Sequence, residues 1–233
     1  MSGPGVRSRV AEANELLGRS AVYRLVAQAL AYPAPEDVAH LLEEDLPFAA
    51  ALGPPEVGVS ELADVLQGVS QASLEEEYRT VFTHVHSADC SLYETDYTAP
   101  QAWRQSQELA DLGGFYRAFG VEEQMERPDH ASVELEFLHV LAYKAAWAAA
   151  NGDGEHLAVC ERAHEAFLRD HALRWMPGLL QRLEVRGAGG PYAAIARLAL
   201  RFLAGEAARF GLQVAPTAPD PDVPSIEEVG LCE

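Results

Sequence analysis

Apolar residues recur at helical spacing through almost the whole of this 233-residue chain, and no stretch alternates apolar and polar residues between turn pairs. That property confines the fold to an all-α one, and a single compact multi-helix bundle over residues 1–214 is the expected architecture. A first helix is predicted over 8–31, burying Leu16, Leu17, Val22, Leu25, Val26 and Leu30. It stops at Tyr32-Pro33, because proline disfavours helix at the residue before it. Pro35 opens a short helix to Leu42, GPPEVG (53–58) reads as a linker, and helix returns from Ser60 to Gly68. Ser73-Leu74-Glu75-Glu76 fits a capping box, in which serine and glutamate each satisfy an orphan backbone N–H, so a helix is predicted over 74–84.

Between His84 and Pro100 the periodicity fails, and a polar, aromatic loop is expected there. Loops of this length inside a helical protein are more often functional than idle. A helix over 101–119 follows, with Leu109, Leu112, Tyr116 and Phe119 on one side and Gly113-Gly114 allowing a neighbour to approach closely. It ends on Gly120. The next helix, 130–150, starts behind Arg127-Pro128-Asp129-His130, where a proline at the first helical position costs no hydrogen bond and an aspartate meets the positive end of the helix dipole. Further helices are predicted over 155–173, from Pro177 to Leu183, and from Pro191 onward with Ile195, Leu198, Phe202 and Leu203 buried. Residues 215–233 are proline-rich and acidic and read as a disordered tail. No fixed-period repeat supports a solenoid.

Composition narrows the function classes. There are 36 acidic residues against 17 basic ones, a net charge of −19, which repels phosphate backbones and anionic lipid and attracts basic partners. No apolar run reaches the length of a membrane span and the N-terminus lacks a secretory signal, so a cytoplasmic protein is expected. Three separated cysteines, Cys90, Cys160 and Cys232, form no CxxC pattern and read as reduced thiols.

Candidate chemistry is sparse. Glu136-x-x-His139 and Glu161-x-x-His164 lie on consecutive predicted helices, and the i, i+3 offset is the one that di-iron and di-manganese bundles use. A di-metal helical oxidoreductase on these four residues is therefore the alternative reading, although no further glutamate stands in a clearly apolar stripe to bridge the metals. His84-x-His86 with Cys90 offers zinc-type ligands without a second pair to complete a tetrahedral site. No nucleophile elbow or phosphate loop occurs, and Gly187–Gly190 lacks the strand and lysine of one. Tyr93, Glu94 and Tyr97 supply aromatic area and a carboxylate suited to a peptide bearing arginine. Asp129-His130 taken alone reads as a helix cap.

LGGFYRAFGV followed by RPDHASVELEF, with EEEYRTVF, LYETDY, FLRDHALRWMPGLL and Pro191-Tyr192, resembles the TorD/DmsD/NarJ family of chaperones that mature molybdenum-containing redox enzymes. The wording is nearer to the branch serving nitrate-reductase-like enzymes, including those converting dimethyl sulfide, ethylbenzene, selenate or chlorate. Ala172 departs from the leucine common after the family's histidine. The resemblance implies an all-helical, non-enzymatic protein without a resident cofactor or metal, monomeric or homodimeric. It would bind the apo catalytic subunit of a molybdopterin oxidoreductase, or that subunit's twin-arginine signal peptide, and delay export until cofactor insertion. It places peptide binding on Tyr93, Glu94, Tyr97, Asp129 and His130, with Arg127, Pro128, Gly114 and Phe115 in support.

Overall fold

The structure is a computed structural model and describes residues 4–82, 90–99, 101–122 and 126–214. Eleven α-helices occur among them: α1 (Pro4–Leu30), α2 (Pro35–His40), α3 (Leu46–Leu52), α4 (Val59–Leu66), α5 (Gln71–Phe82), α6 (Thr95–Thr98), α7 (Ala102–Ala118), α8 (Ala131–Asn151), α9 (Gly154–Phe167), α10 (Leu173–Arg186) and α11 (Pro191–Phe210). No strand occurs among the described residues beyond one isolated bridge, so the predicted all-α bundle is the observed fold. α1 lies along α8, α8 along α9, and α10 along α11, with α4 and α5 closing on α11.

The apolar stripes account for these pairings. Val22, Leu25, Val26 and Leu30 of α1 face the core, as do Leu135, Leu138 and Leu141 of α8 and Ile195, Leu198, Phe202 and Leu203 of α11. Tyr116, Phe137 and Phe167 stack edge-on or tilted at centroid distances of 4.8–6.1 Å, a geometry that adds to their area burial. Helix α1 also meets the end of α3 at Gly18, where a Cβ would fall 1.9 Å from the Leu52 carbonyl oxygen. Only glycine permits that contact. Gly120 takes φ +69° and lets Val121 N–H reach the Tyr116 carbonyl at 2.9 Å, which ends α7 where the sequence places its end.

Several local expectations are corrected. The capping box at Ser73 does not form. Ser70 Oγ accepts from Ser73 N–H at 3.2 Å instead, so α5 begins at Gln71 and Ser73 lies inside it. Pro35 opens a run longer than expected, because α2 continues through a π-helical turn, Leu41–Asp45, into α3. Likewise α9 passes through a second π-turn, Leu168–Ala172, into α10 without a break at Pro177. The carbonyl left unbonded by that proline belongs to Leu173, whose ψ of −9° already departs from helix, so the cost of an interior proline falls where the helix is loosened. Gly114 is exposed, and a Cβ there would meet nothing within 4 Å; it mediates no close approach. His84, His86 and residues 215–233 lie outside the described residues, while Cys90 is a buried core residue.

Candidate functional site

The segment that begins at Leu92 is clamped to the start of α8 by main-chain bonds. Tyr93 and His130 form an antiparallel bridge, with Glu94 N–H donating to the Asp129 carbonyl at 2.9 Å and Ala131 N–H to the Leu92 carbonyl at 2.8 Å. From α7, Tyr116 Oη donates to the Pro128 carbonyl at 2.6 Å. Three separate stretches of sequence thus meet at Arg127–His130. The sequence brings Tyr93, Glu94, Asp129 and His130 together only as a resemblance; the bridge does so physically.

His130, not Asp129, caps α8. Its Nδ1 accepts from Ser132 N–H at 3.2 Å and lies 2.8 Å from Ser132 Oγ. A ring nitrogen that accepts an amide proton carries no proton itself, and burial lowers the His130 pKa below the ordinary value, so the cap is a neutral imidazole. Pro128 correspondingly sits in the turn before the helix rather than at its first position. Asp129 is fully buried and used sideways. Its Oδ2 accepts from Thr95 Oγ1 at 2.7 Å and Thr95 N–H at 3.3 Å, and Arg127 forks onto both oxygens at 3.1 and 2.9 Å. The same guanidinium lies 4.4 Å from the centre of the Tyr93 ring.

Glu94 is buried too, behind this layer. His171 Nδ1 lies 3.0 Å from Glu94 Oε2 and His171 Nε2 lies 3.2 Å from Asp111 Oδ2. Burial alone would lower the His171 pKa, yet the Glu94 hydrogen bond and charge, followed by Asp111 and Glu108, raise it above that of a free imidazole. Beside them Trp175 Nε1 donates to Glu134 Oε2 at 3.1 Å. Burial first, then the Glu94 and Asp129 charges, hold the Glu134 carboxyl well above the ordinary carboxylate range. Burial and these neighbouring charges thus favour its neutral acid form. Phe115 covers His171 edge-on at 5.6 Å. Tyr97 closes the far side, its ring 5.3 Å from Trp175 and its hydroxyl donating to the Ser91 carbonyl at 2.9 Å.

These positions redistribute the predicted roles. Glu94 and Asp129 have no exposed surface and His130 is buried beside them, so none of the three is presented at the surface for direct peptide contact as the resemblance implies, because burying each carboxylate demands partners that then enclose it. Tyr93, Tyr97 and the Arg127 guanidinium form the accessible part. Thr95, Glu134, His171, Arg174 and Trp175 belong to the network and were not singled out from sequence. The one available signal was the His171/Trp175 offset of four inside FLRDHALRWMPGLL, which puts both on one face of a helix.

The di-metal arrangement does not assemble. His139 Nδ1 lies 2.8 Å from Ser20 Oγ, His164 Nε2 lies 2.9 Å from Tyr23 Oη and 3.3 Å from Glu206, Glu161 pairs with Arg209 at 2.6 Å, and Glu136 is exposed. Both Glu-x-x-His offsets are helical, but the two pairs face different neighbours. Glu94, Glu108 and His171 do bring ligand-type atoms within 4.8 Å of one another, the one such group among the described residues. A cation already spans that group: Arg174 approaches Glu108 at 3.3 Å and Glu94 at 3.7 Å.

Comparison with known proteins adds three kinds of likeness. Residues 54–181 match the family model described as nitrate reductase delta subunit. The chain is 34% identical over 104 residues to the chaperone protein TorD of Vibrio cholerae serotype O1, covering 43% of this chain and 44% of that protein. It is 35% identical over 119 residues to the selenate reductase assembly chaperone protein of Thauera selenatis (50% and 60%), and 33% identical over 100 residues to the perchlorate reductase assembly chaperone protein of Dechloromonas aromatica (41% and 43%). The matched part thus spans about half the length of these relatives. A putative redox enzyme maturation protein from Archaeoglobus fulgidus superimposes with a TM-score of 0.50 at 19% identity, over 79% of this chain and 93% of that one; this likeness concerns the fold.

Proposed function

This chain belongs to the nitrate reductase delta subunit family, the group that includes TorD and NarJ, and on that premise we propose that it is a non-catalytic maturation chaperone. Its client is the apo catalytic subunit of a molybdopterin oxidoreductase, bound in the cytoplasm before cofactor insertion and export. The observation that carries the reading is the convergence of the family match with assembly chaperones of selenate and perchlorate reductases among the relatives. It is supported by the way Asp129 and His130 are engaged in holding backbone, at Thr95 N–H and Ser132 N–H.

The recognition element is Tyr93, Glu94, Tyr97, Asp129 and His130 acting together. Tyr93 and Tyr97 meet the client, while Glu94, Asp129 and His130 fix the bridge that presents them. Arg127 rests on Tyr93 and forks onto Asp129, which is how a guanidinium is bound by a carboxylate and a ring. An arginine of the client, such as one in a twin-arginine signal, takes that seat when the half-exposed Arg127 turns outward.

The test is capture of the apo subunit, with and without its signal segment, followed by calorimetry with a synthetic twin-arginine peptide. Arg127→Gln should bind the peptide more tightly than the wild type, and Tyr93→Ala more weakly. Weaker binding by Arg127→Gln would sink the exchange of arginines, and failure to capture any apo subunit would sink the chaperone reading.

A further inference from the structure

The second face of interest lies on the opposite flank of α8, away from the bridge. Three large side chains stand in solvent there: Tyr143 is 52% exposed, Trp147 60%, and Phe48 of the neighbouring α3 46%. Single exposed apolar residues need no explanation, but grouped ones mark interaction sites. Tyr143 is the ridge between two hollows. One, about 490 Å³, is lined by Arg24, Glu44, Asp45, Phe48, His139 and Tyr143 among others. The other, about 580 Å³, is lined by Phe119, Tyr143, Lys144, Trp147, His156 and Val159 among others.

Their chemistry differs in a way that defines an occupant. In the first hollow Asp45 is buried, and its Oδ1 accepts from Arg24 Nε at 2.7 Å, but its Oδ2 has no hydrogen-bond partner. Glu44 adds a second, exposed carboxylate, and the Phe48 and Tyr143 rings border it. Arg24 is committed to Asp45 Oδ1 and lies 2.8 Å from His40, which itself stands 3.5 Å from Glu44. The hollow thus sets two carboxylates against one guanidinium between aromatic walls, with the buried Asp45 Oδ2 still unmet, which suits a cationic side chain. The second hollow has no carboxylate among its lining residues. Lys144, the sole lysine of the chain, stands there over Phe119, so this end admits an apolar side chain and repels a cation.

From this geometry we infer that the α8 face is a docking surface for a segment of another protein that carries a cationic residue followed by an apolar or aromatic one. His139, Tyr143 and Trp147 follow one another along the helix, so the two ends lie about 12 Å apart at 1.5 Å per residue. An extended chain crosses that distance in about four residues. Charge selects among possible occupants. Residues 215–233 contain five acidic residues and no basic one, and a second copy of the chain carries the same −19; both are repelled by Asp45 and Glu44. The inference rests on the chaperone reading only for which protein supplies the segment.

A blocked synthetic decapeptide, with arginine at the third position, phenylalanine at the seventh and serine or alanine elsewhere, is titrated into the full chain by calorimetry. Trp147→Ala and Phe48→Ser, both at exposed positions, should each weaken binding about tenfold with an unchanged melting temperature. Exchanging the peptide's arginine for glutamine should cost the wild type about tenfold and cost Asp45→Asn nothing further. Equal affinity for the wild type and the Phe48→Ser/Trp147→Ala double variant overturns the inference. So does a dimer that Trp147→Ala splits in sedimentation, or a rise in peptide affinity on Ile226→Ser/Leu231→Ser, which would give the face to a second copy or to the chain's own C-terminal residues. If apo subunit is captured equally by wild type and double variant, this surface falls and the chaperone reading stands. If the peptide binds and no subunit is captured, the reverse holds.

Discussion

At the scale of single residues, Asp129 and His130 divide between them what a helix start and a loop clamp require. Asp129 is a buried anion with four hydrogen-bond contacts, two from Thr95 and two from Arg127. Replacing it by alanine removes the acceptor of all four. The half-exposed Arg127 can turn to solvent, but the buried Thr95 donors are left unmet, which should cost about 2 kcal/mol, the usual penalty for an unsatisfied buried polar group. Urea unfolding measures that loss. His130 makes a pH-dependent contribution. Its folded pKa is lowered, chiefly by burial, so the unfolded chain takes up the proton first and the contribution is complete above the ordinary value of 6.5 and lost as pH falls below it. His130→Asn keeps an oxygen acceptor at the cap without titrating. It should therefore lose less stability than the wild type between about pH 7.5 and 5.5, read as midpoints of urea unfolding.

At the scale of elements, the site depends on how α7, α8 and the α9–α10 run are set against each other. Trp175 reaches Glu134 across the α8–α10 contact, and Trp175→Phe keeps most of the packing while leaving that acid without its indole donor. A cost of about 2 kcal/mol is expected, the usual penalty for an unsatisfied buried polar group, with thermal unfolding as the measurement. The α1–α3 contact is more rigid. Gly18→Ala places a Cβ against the Leu52 carbonyl, backbone that has no rotamer to yield, and should lower stability by about 3 kcal/mol, the upper end of overpacking penalties. Calorimetric melting checks it. Most helices and most of their ends were legible from periodicity, glycine and proline; α3 and the short α6, which lies in the stretch expected to be loop, were not. The two π-turns were not, because a π-turn is selected by what the helix packs against rather than by a local residue signal.

At the scale of the whole molecule, two electrostatic features oppose each other. Inside, Glu206 accepts from Tyr23 Oη at 2.9 Å, faces His164 at 3.3 Å and pairs with Arg19. Burial pushes its pKa up, but His164, Arg19 and Tyr23 together hold it down to about 2, against an ordinary 4.5. A depressed carboxyl pKa stabilises fully above the unfolded value and loses its contribution as pH falls from 4.5 toward 2, so acid unfolding should begin in that window. Glu206→Gln should already be weaker at neutral pH by about 3 kcal/mol, since Arg19 is left partly buried without its anion. Outside, a net charge of −19 repels itself across the surface. Added sodium chloride should raise the melting temperature by screening that repulsion, before any specific pairing weakens.

The amino-acid sequence by itself determined that this protein is a helical bundle, and its motifs determined the family, because apolar periodicity and turn residues act over a few positions and survive as text. Tertiary structure alone decided what those residues do. Only the bridge between Tyr93 and His130 turns Asp129 from an apparent helix cap into a buried anion under Arg127, and only the direction each helix faces separates Glu136 and His139 from Glu161 and His164. A side chain's partners across the molecule depend on the rotation of whole helices about their axes. Spacing along one helix does not carry that rotation.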